Sequence, residues 1–346
     1  MNQTLNGIRR ILITILVAMG VGALFIIAIG ENPIDAYAAL FRGAFDGKLR
    51  LGTTLAGFTP LLLTSIAFAV AAKAGAFNVG VEGEVFLGGI TAAYIGINWT
   101  FLPKPALYVA CFVGAMVVAA AWAFIPAVLR AYYNVNEVCT TILMNTVALY
   151  ITSYLVSGPM SAGTANAQSL PVTVRLYQFM KPSSVNVGIF IAAITVIVFM
   201  LQKSSWRYKS RTVGLNPTHA DYVGIDSKKV FIGAMMLSGM LGGMAGCIEV
   251  LGVHGYFLNN FATGLGSNGM LAALIVKNNM VSTPFMAFFL AVLKSGAMGM
   301  QQSTGVPKSL VDTITAVFII IATMETAFQF TKKRKKKTEG KKEDKA

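Results

Sequence analysis

The chain has 346 residues, 55% hydrophobic and only 12% charged, with a net charge of +14 and a mean hydropathy of +0.66. A soluble domain averages about 25% charged residues, so the composition excludes a soluble globular fold and predicts an all-α, polytopic membrane protein. The positive charge does not point to nucleic acid. Nine of the 28 cations lie between Lys332 and Lys345 and six between Lys203 and Lys229, where positive-inside bias and anionic lipid account for them.

Ten apolar segments are predicted in chain order, against a requirement of roughly 20 residues per helical crossing. The first, 11–29, follows Arg9-Arg10. It is long for a signal-peptide core and reads as a retained span. Residues 30–50 contain Pro33 and an amphipathic run (Tyr37, Leu40, Phe41, Phe45) expected at the outer interface. Segments 51–72, 77–97, 104–129 and 138–157 follow. Residues 158–185, rich in Ser, Gly, Ala, Asn and Pro, read as an outside loop or gate. Segment 186–202 then leads into a basic stretch, 203–229, in which a short helix is expected after Asn216-Pro217. The remaining segments are 230–253, 263–276, 283–300 and 308–330. The 263–276 segment is short enough to be broken or re-entrant. With the N-terminus inside, six crossings bring Lys203 to the cytoplasm, and four more return the basic tail, 331–346, to the same side. Both termini are therefore expected in the cytoplasm, and residues 1–330 form one transmembrane domain.

Polar residues inside the apolar segments mark candidate sites. The stretch GAFNVGVEGEVFLGG (75–89) carries five glycines, Asn78 and two carboxylates. A charge at membrane depth costs at least about 2.5 kcal/mol, and each glycine weakens a helix by about 1 kcal/mol relative to alanine. Either the stretch is a broken helix beside a transport path, or it packs tightly through small residues with Glu82 and Glu84 near the inner interface. Gly80-Val-Glu-Gly83 is echoed by Gly266-Ser-Asn-Gly269 in a segment of opposite direction, the pattern of an inverted repeat of segments 2–5 and 7–10. GLGSNG (264–269) matches the dinucleotide fingerprint, but it opens a membrane segment with no preceding strand. No phosphate loop, nucleophile–base set or metal spacing occurs: His219 and His254 are far apart, and Cys111, Cys139 and Cys247 read as packing residues. The chain is thus expected not to be an enzyme and to need no cofactor.

Four stretches resemble the permease subunits of bacterial ABC importers of the branched-chain amino acid and simple-sugar superfamily, most closely the nucleoside-type branch. They are AFNVGVEGEVFLGG (76–89), NEVCTTILMN (136–145), GLNPTHADYVGI (214–225) and FATGLGSNGMLAAL (261–274). Two positions depart from the family pattern: His219 stands where a small residue is usual, and Glu84 where a Gln is usual. The resemblance implies a second homologous permease, a cytoplasmic ABC ATPase, an extracellular substrate-binding lipoprotein and a place in the bacterial plasma membrane. It implies nucleoside transport, with ribose-like sugars as the alternative; apart from the resemblance, the inverted-repeat pattern and buried carboxylates would also suit an ion-coupled secondary transporter, the rival class. Phe77, Asn78, Glu82 and Asn268 are the candidate substrate-pathway residues. Gly214, Asn216, Pro217, Tyr222, Gly224 and Ile225 form the expected ATPase coupling loop.

Overall fold

A computed structural model describes residues 19–28, 30–201, 204–304 and positions 309, 312, 313 and 316. The basic tail, residues 11–18 and 29 of the first expected segment and nearly all of the tenth lie outside the described residues. The helices are α1 (Met19–Ala28), α2 (Pro33–Phe45), α3 (Gly47–Lys73), α4 (Val81–Asn98), α5 (Lys104–Tyr133), α6 (Glu137–Ser157), α7 (Gly188–Leu201), α8 (Ser205–Leu215), α9 (Pro217–Tyr222), α10 (Ser227–Ile248), α11 (Leu265–Ile275) and α12 (Thr283–Thr304). A π-helical turn, Glu249–His254, continues α10. Strand structure among the described residues is limited to isolated bridges such as Gln168 with Leu258.

The architecture is that of an all-helical polytopic membrane protein. Among the described residues, five helices are long and apolar enough to cross a bilayer: α3, α5, α6, α10 with its π turn, and α12; the number rises to seven if the bent pairs α1–α2 and α7–α8 each count as one span. Ten crossings were expected; the tenth segment lies almost wholly outside the described residues, and two of the others fall short of a full span for physical reasons. Helix α4 has Glu82 and Glu84 in its first turn, while α11 has only 11 residues. At that length it rises about 16 Å, half a hydrocarbon core, which agrees with the short eighth segment. The stretch 203–229 holds the expected helix after Asn216-Pro217 and a second one, α8, that its charged sequence concealed.

The chain divides into two compact units. In the larger, residues 47–292, α10 packs between α4 and α5 along small residues. A Cβ on Gly239 or Gly243 would strike the carbonyl of Ala119 or Ala115 on α5, and one on Gly246 would strike the Val85 carbonyl on α4. Without a hydrophobic drive between helices in lipid, such close backbone contact is what holds helices together. Around this seam Leu63 and Ile66 of α3, Val85 of α4 and Ile248 of α10 form one buried core. The 158–185 connector is tied down by backbone bonds: Ser169 N–H donates to the Phe257 carbonyl, Val172 N–H to Gly255 and Leu176 N–H to Leu251, each at 2.9 Å. The smaller unit, residues 1–46 and 293–346, has its own cluster of Ile26, Ala36, Leu40, Ala297 and Met300. In it, α2 starts at Asn32, whose side chain accepts from Ile34 N–H, with Pro33 in the first turn. The residues of the expected amphipathic run do not share one buried face: Leu40 is buried while Phe41 and Phe45 are exposed, and the buried side of α2 is made by Ala36, Ala39, Leu40, Gly43 and Ala44.

Candidate functional site

The glycine-rich stretch is a break between two helices. Helix α3 ends at Lys73, and α4 starts only at Val81 after Gly80, which provides no side-chain cap. The orphan amides of that helix start need partners from elsewhere. Asn145 of α6 supplies one: its Oδ1 accepts from Gly83 N–H at 2.8 Å, while its Nδ2 donates to the Val79 carbonyl at 2.9 Å. Asn136, the other end of the NEVCTTILMN stretch, caps α6 itself through Val138 N–H, and Arg130 pairs with Glu137 at 3.1 Å.

Asn78 is the hub of the break. It is fully buried. Its Nδ2 donates to Glu84 Oε1 at 2.8 Å and to Ser238 Oγ at 2.9 Å, and its Oδ1 accepts from Gly80 N–H at 2.9 Å. Glu84 is 1% exposed, and its second oxygen, Oε2, has no hydrogen-bond partner. A Cβ on Gly242 of α10 would lie 3.0 Å from that oxygen, so the absence of a side chain there is what admits the carboxyl.

Glu82, one turn-side away, faces the second glycine-rich stretch. Its carboxylate accepts from Gly264 N–H at 3.1 Å, Ser267 N–H at 3.4 Å and Ser267 Oγ at 3.2 Å. It therefore sits at the N-terminus of α11, where free amides and the helix dipole favour a negative charge. Gly264 opens that helix at φ +79°, and a Cβ on Gly266 would lie 2.5 Å from the Glu82 backbone nitrogen. The two echoing motifs are thus in direct contact. The GLGSNG stretch uses its glycines for close helix approach, with no nucleotide-binding strand before it.

Of the four expected pathway residues, Glu82 and Asn268 lie at this α4–α11 junction and are half-buried. Phe77 is also half-buried, stacking edge-on against Phe68 at 5.0 Å and packing near Met270 and Leu274. Asn78 lies behind them in the core, with its side-chain amide occupied by protein groups. A further polar group was not assembled from the sequence, because Glu249 and His254 lie close together in the chain but Arg175 is 79 residues from His254. Glu249 and His254 of the π turn approach to 3.6 Å, and Arg175 from the 158–185 connector donates to the His254 carbonyl at 3.2 Å. Single π turns of this kind cluster at functional sites.

The six coupling-loop residues are brought together in one small assembly. Asn216 caps α9, accepting from His219 N–H at 3.1 Å, and Pro217 occupies the first helical turn. Val213, Ala220, Ile225 and Val230 form a miniature core under the helix, and Gly224 turns the chain at φ +80°. Asp221 accepts from both Ser227 N–H and Ser227 Oγ at 2.9 Å, fixing the return into α10. Gly214 packs its backbone on Lys73 and Gly75 of the α3 end. Of the six only Ile225 is buried; Tyr222 is the large side chain among the exposed ones, at 85% exposure, beside exposed Leu215 and Val223.

A family model described as the permease component of branched-chain amino acid transport systems matches residues 50–323. Among similar curated proteins, the guanosine ABC transporter permease protein NupP of Bacillus subtilis is 32% identical over 337 residues, 94% of this chain and 96% of its own length. The glucose ABC transporter permease protein TsgB13 of Haloferax volcanii is 32% identical over 323 residues, 89% of this chain and 85% of its own. The nucleoside ABC transporter permease protein NupB of Lactococcus lactis is 30% identical over 335 residues, 92% and 91% of the two chains.

Proposed function

This chain belongs to the branched-chain amino acid transport system permease family, and on that premise we propose that it carries nucleosides through the membrane for an ATP-driven importer. It is an ABC permease, a class of subunit that is not itself catalytic, and membership sets aside the ion-coupled secondary transporter. The observation that carries the nucleoside reading is near full-length similarity to permeases named for guanosine and for nucleosides. A glucose permease at the same identity supports a simple sugar as the second reading.

The chain crosses the plasma membrane ten times, the α11 segment as a short crossing completed by its non-helical flanks, with both termini in the cytoplasm, residues 1–330 forming the permease domain and 331–346 a basic tail. Contact between the Gly80–Gly83 and Gly266–Gly269 motifs supports an inverted repeat meeting near the midplane. Substrate passes the α4–α11 junction beside Phe77, Glu82 and Asn268, with Asn78 setting the shape of that junction from behind. A separate ATPase docks on α9, as the exposure of Tyr222 on a rigid turn supports. A homologous permease and an extracellular binding lipoprotein complete the assembly.

Uptake into proteoliposomes containing all the subunits tests this. ATP-dependent accumulation of labelled guanosine, competed by other nucleosides and not by glucose, is expected. Glucose uptake that nucleosides do not compete would overturn the substrate. Uptake by this chain alone under an ion gradient would overturn the mechanism.

A further inference from the structure

A cavity of about 700 Å³ lies between the last turn of α3, helix α8 and the turn that follows α11. That volume suits a small ligand or a lipid headgroup. Its wall carries Lys73, Arg207, Arg211 and Lys277, from three separate elements, and no acidic residue. Arg207 and Arg211 are one turn apart on α8 and both act electrostatically on Lys73. The crowding is built into the backbone, because Gly214 of α8 touches the Lys73 carbonyl. Lys277 and Asn278 are both held at φ 55°, an unfavourable conformation for side-chain-bearing residues that tends to persist where function requires it. Like charges gathered at one wall repel one another unless an anion offsets them.

Two further atoms of the same wall point to a ligand. Ser210 is 5% exposed, and its Oγ is buried with no hydrogen-bond partner; Asn278 Oδ1 is likewise buried and unpartnered. Buried polar atoms are normally satisfied. We propose that this cavity binds a phosphate group. Arg211, Lys73 and Lys277 hold its oxygens; the Ser210 and Asn278 side-chain oxygens, closed to solvent as they stand, reach the ligand by a change of rotamer, Ser210 Oγ donating to one phosphate oxygen and Asn278 Oδ1 accepting from a hydroxyl on the group that carries it. Arg207, whose Nη1 already donates to the Met200 carbonyl at 3.1 Å, adds charge. A phosphate fits better than a carboxylate because it offers more acceptor oxygens to a set of cations that includes arginine. The apolar flank of Trp206 suits the ester that bears it. An anionic phospholipid and a free phosphate compound share this chemistry, and the inference stands independently of the transported substrate.

The full chain in nanodiscs separates the two sources. In discs of phosphatidylcholine doped with phosphatidylglycerol, native mass spectrometry reads the retained lipid. In discs of phosphatidylcholine alone, thermal unfolding is followed as inorganic phosphate is added. Selective retention of phosphatidylglycerol identifies the lipid, and a phosphate-dependent rise in Tm identifies the free ion. In either case Arg211→Gln with Lys277→Gln weakens binding about 25-fold, at about fivefold per cation, whereas the matched pair Lys48→Gln with Lys104→Gln leaves it unchanged. Should the cation variant not fold, Ser210→Ala keeps every charge and still lowers binding severalfold. The proposal is overturned if the wild-type chain neither retains phosphatidylglycerol nor responds to phosphate, or if binding survives these substitutions undiminished.

Discussion

Replacing Asn78 separates an architectural residue from a substrate contact. Asn78→Ala removes three hydrogen bonds of 2.8–2.9 Å in one fully buried place. It leaves Gly80 N–H without its acceptor and the Glu84 carboxyl, whose other oxygen is already unpartnered, without its donor. The Ser238 hydroxyl can turn to another acceptor, so two groups are stranded. At about 1–3 kcal/mol for each stranded buried group, the expected loss is about 4 kcal/mol, well above the roughly 1 kcal/mol typical of point substitutions. Asn78→Asp should cost at least as much, since it keeps the Gly80 contact but sets a second carboxyl against Glu84. Reversible unfolding of the chain by SDS titration in mixed micelles measures the change, with guanosine uptake by the reconstituted transporter recorded in parallel. If Asn78→Ala unfolds within about 1 kcal/mol of wild type yet abolishes uptake, the buried hub is not what Asn78 provides, and the residue belongs to the substrate path.

Tyr222→Ala should leave unfolding within about 0.5 kcal/mol of wild type, as expected of an exposed residue, while reducing ligand-stimulated ATP hydrolysis in the reconstituted complex; unchanged hydrolysis would remove α9 as the docking helix. Gly246→Val places a side chain against the Val85 carbonyl and should prevent α4 and α10 from closing, read as loss of folded protein after detergent extraction. Glu82→Ala removes three hydrogen bonds to the start of α11, and amide exchange in 264–269 should rise several-fold while exchange in α5 stays constant. Asp226 accepts from Lys229 N–H at 3.0 Å, then pairs with its ammonium at 3.1 Å, and these contacts hold its carboxyl below the ordinary value of 3.8. Its support of the α10 start is therefore present in full above that value and lost as pH falls through the lower native pKa. Exchange at 227–230 should rise selectively below about pH 4, and Asp226→Asn should remove that pH dependence.

Much of this was legible in the sequence wherever the signal was local. Apolar runs located α3, α5, α6 and α12 to within a few residues, and Asn216-Pro217 announced α9 because a cap followed by proline is a rule about neighbours in the chain. Helix α8 was hidden because its charges broke the apolar pattern and its burial is limited to Ser210 and Val213. The partners of the site were hidden for a different reason. That Asn145 completes the start of α4, that Glu82 meets the start of α11, and that Asn78 is turned away from open space are all facts about chain separations of 62, 182 and 160 residues. Residue type marked these positions as costly to bury, but only the packing of α4 against α6, α10 and α11 says what offsets the cost. The π turn left no composition signal at all, since one extra residue per turn does not change hydropathy.

The contact of Gly75 and Gly214 bears on how force crosses the molecule. Where the end of α3 meets the end of α8, backbone lies on backbone, with a Cβ at Gly75 only 3.3 Å from the Gly214 Cα and one at Gly214 colliding with the Lys73 carbonyl. Side chains interposed between two elements yield by changing rotamer, and a push on one is absorbed before it reaches the other. Two main chains in contact have no such slack. A displacement delivered to α9 would therefore arrive at α3 with little lost on the way, and the joint would behave as a stiff bearing. Lengthening either residue by a single methyl should soften or misalign the joint.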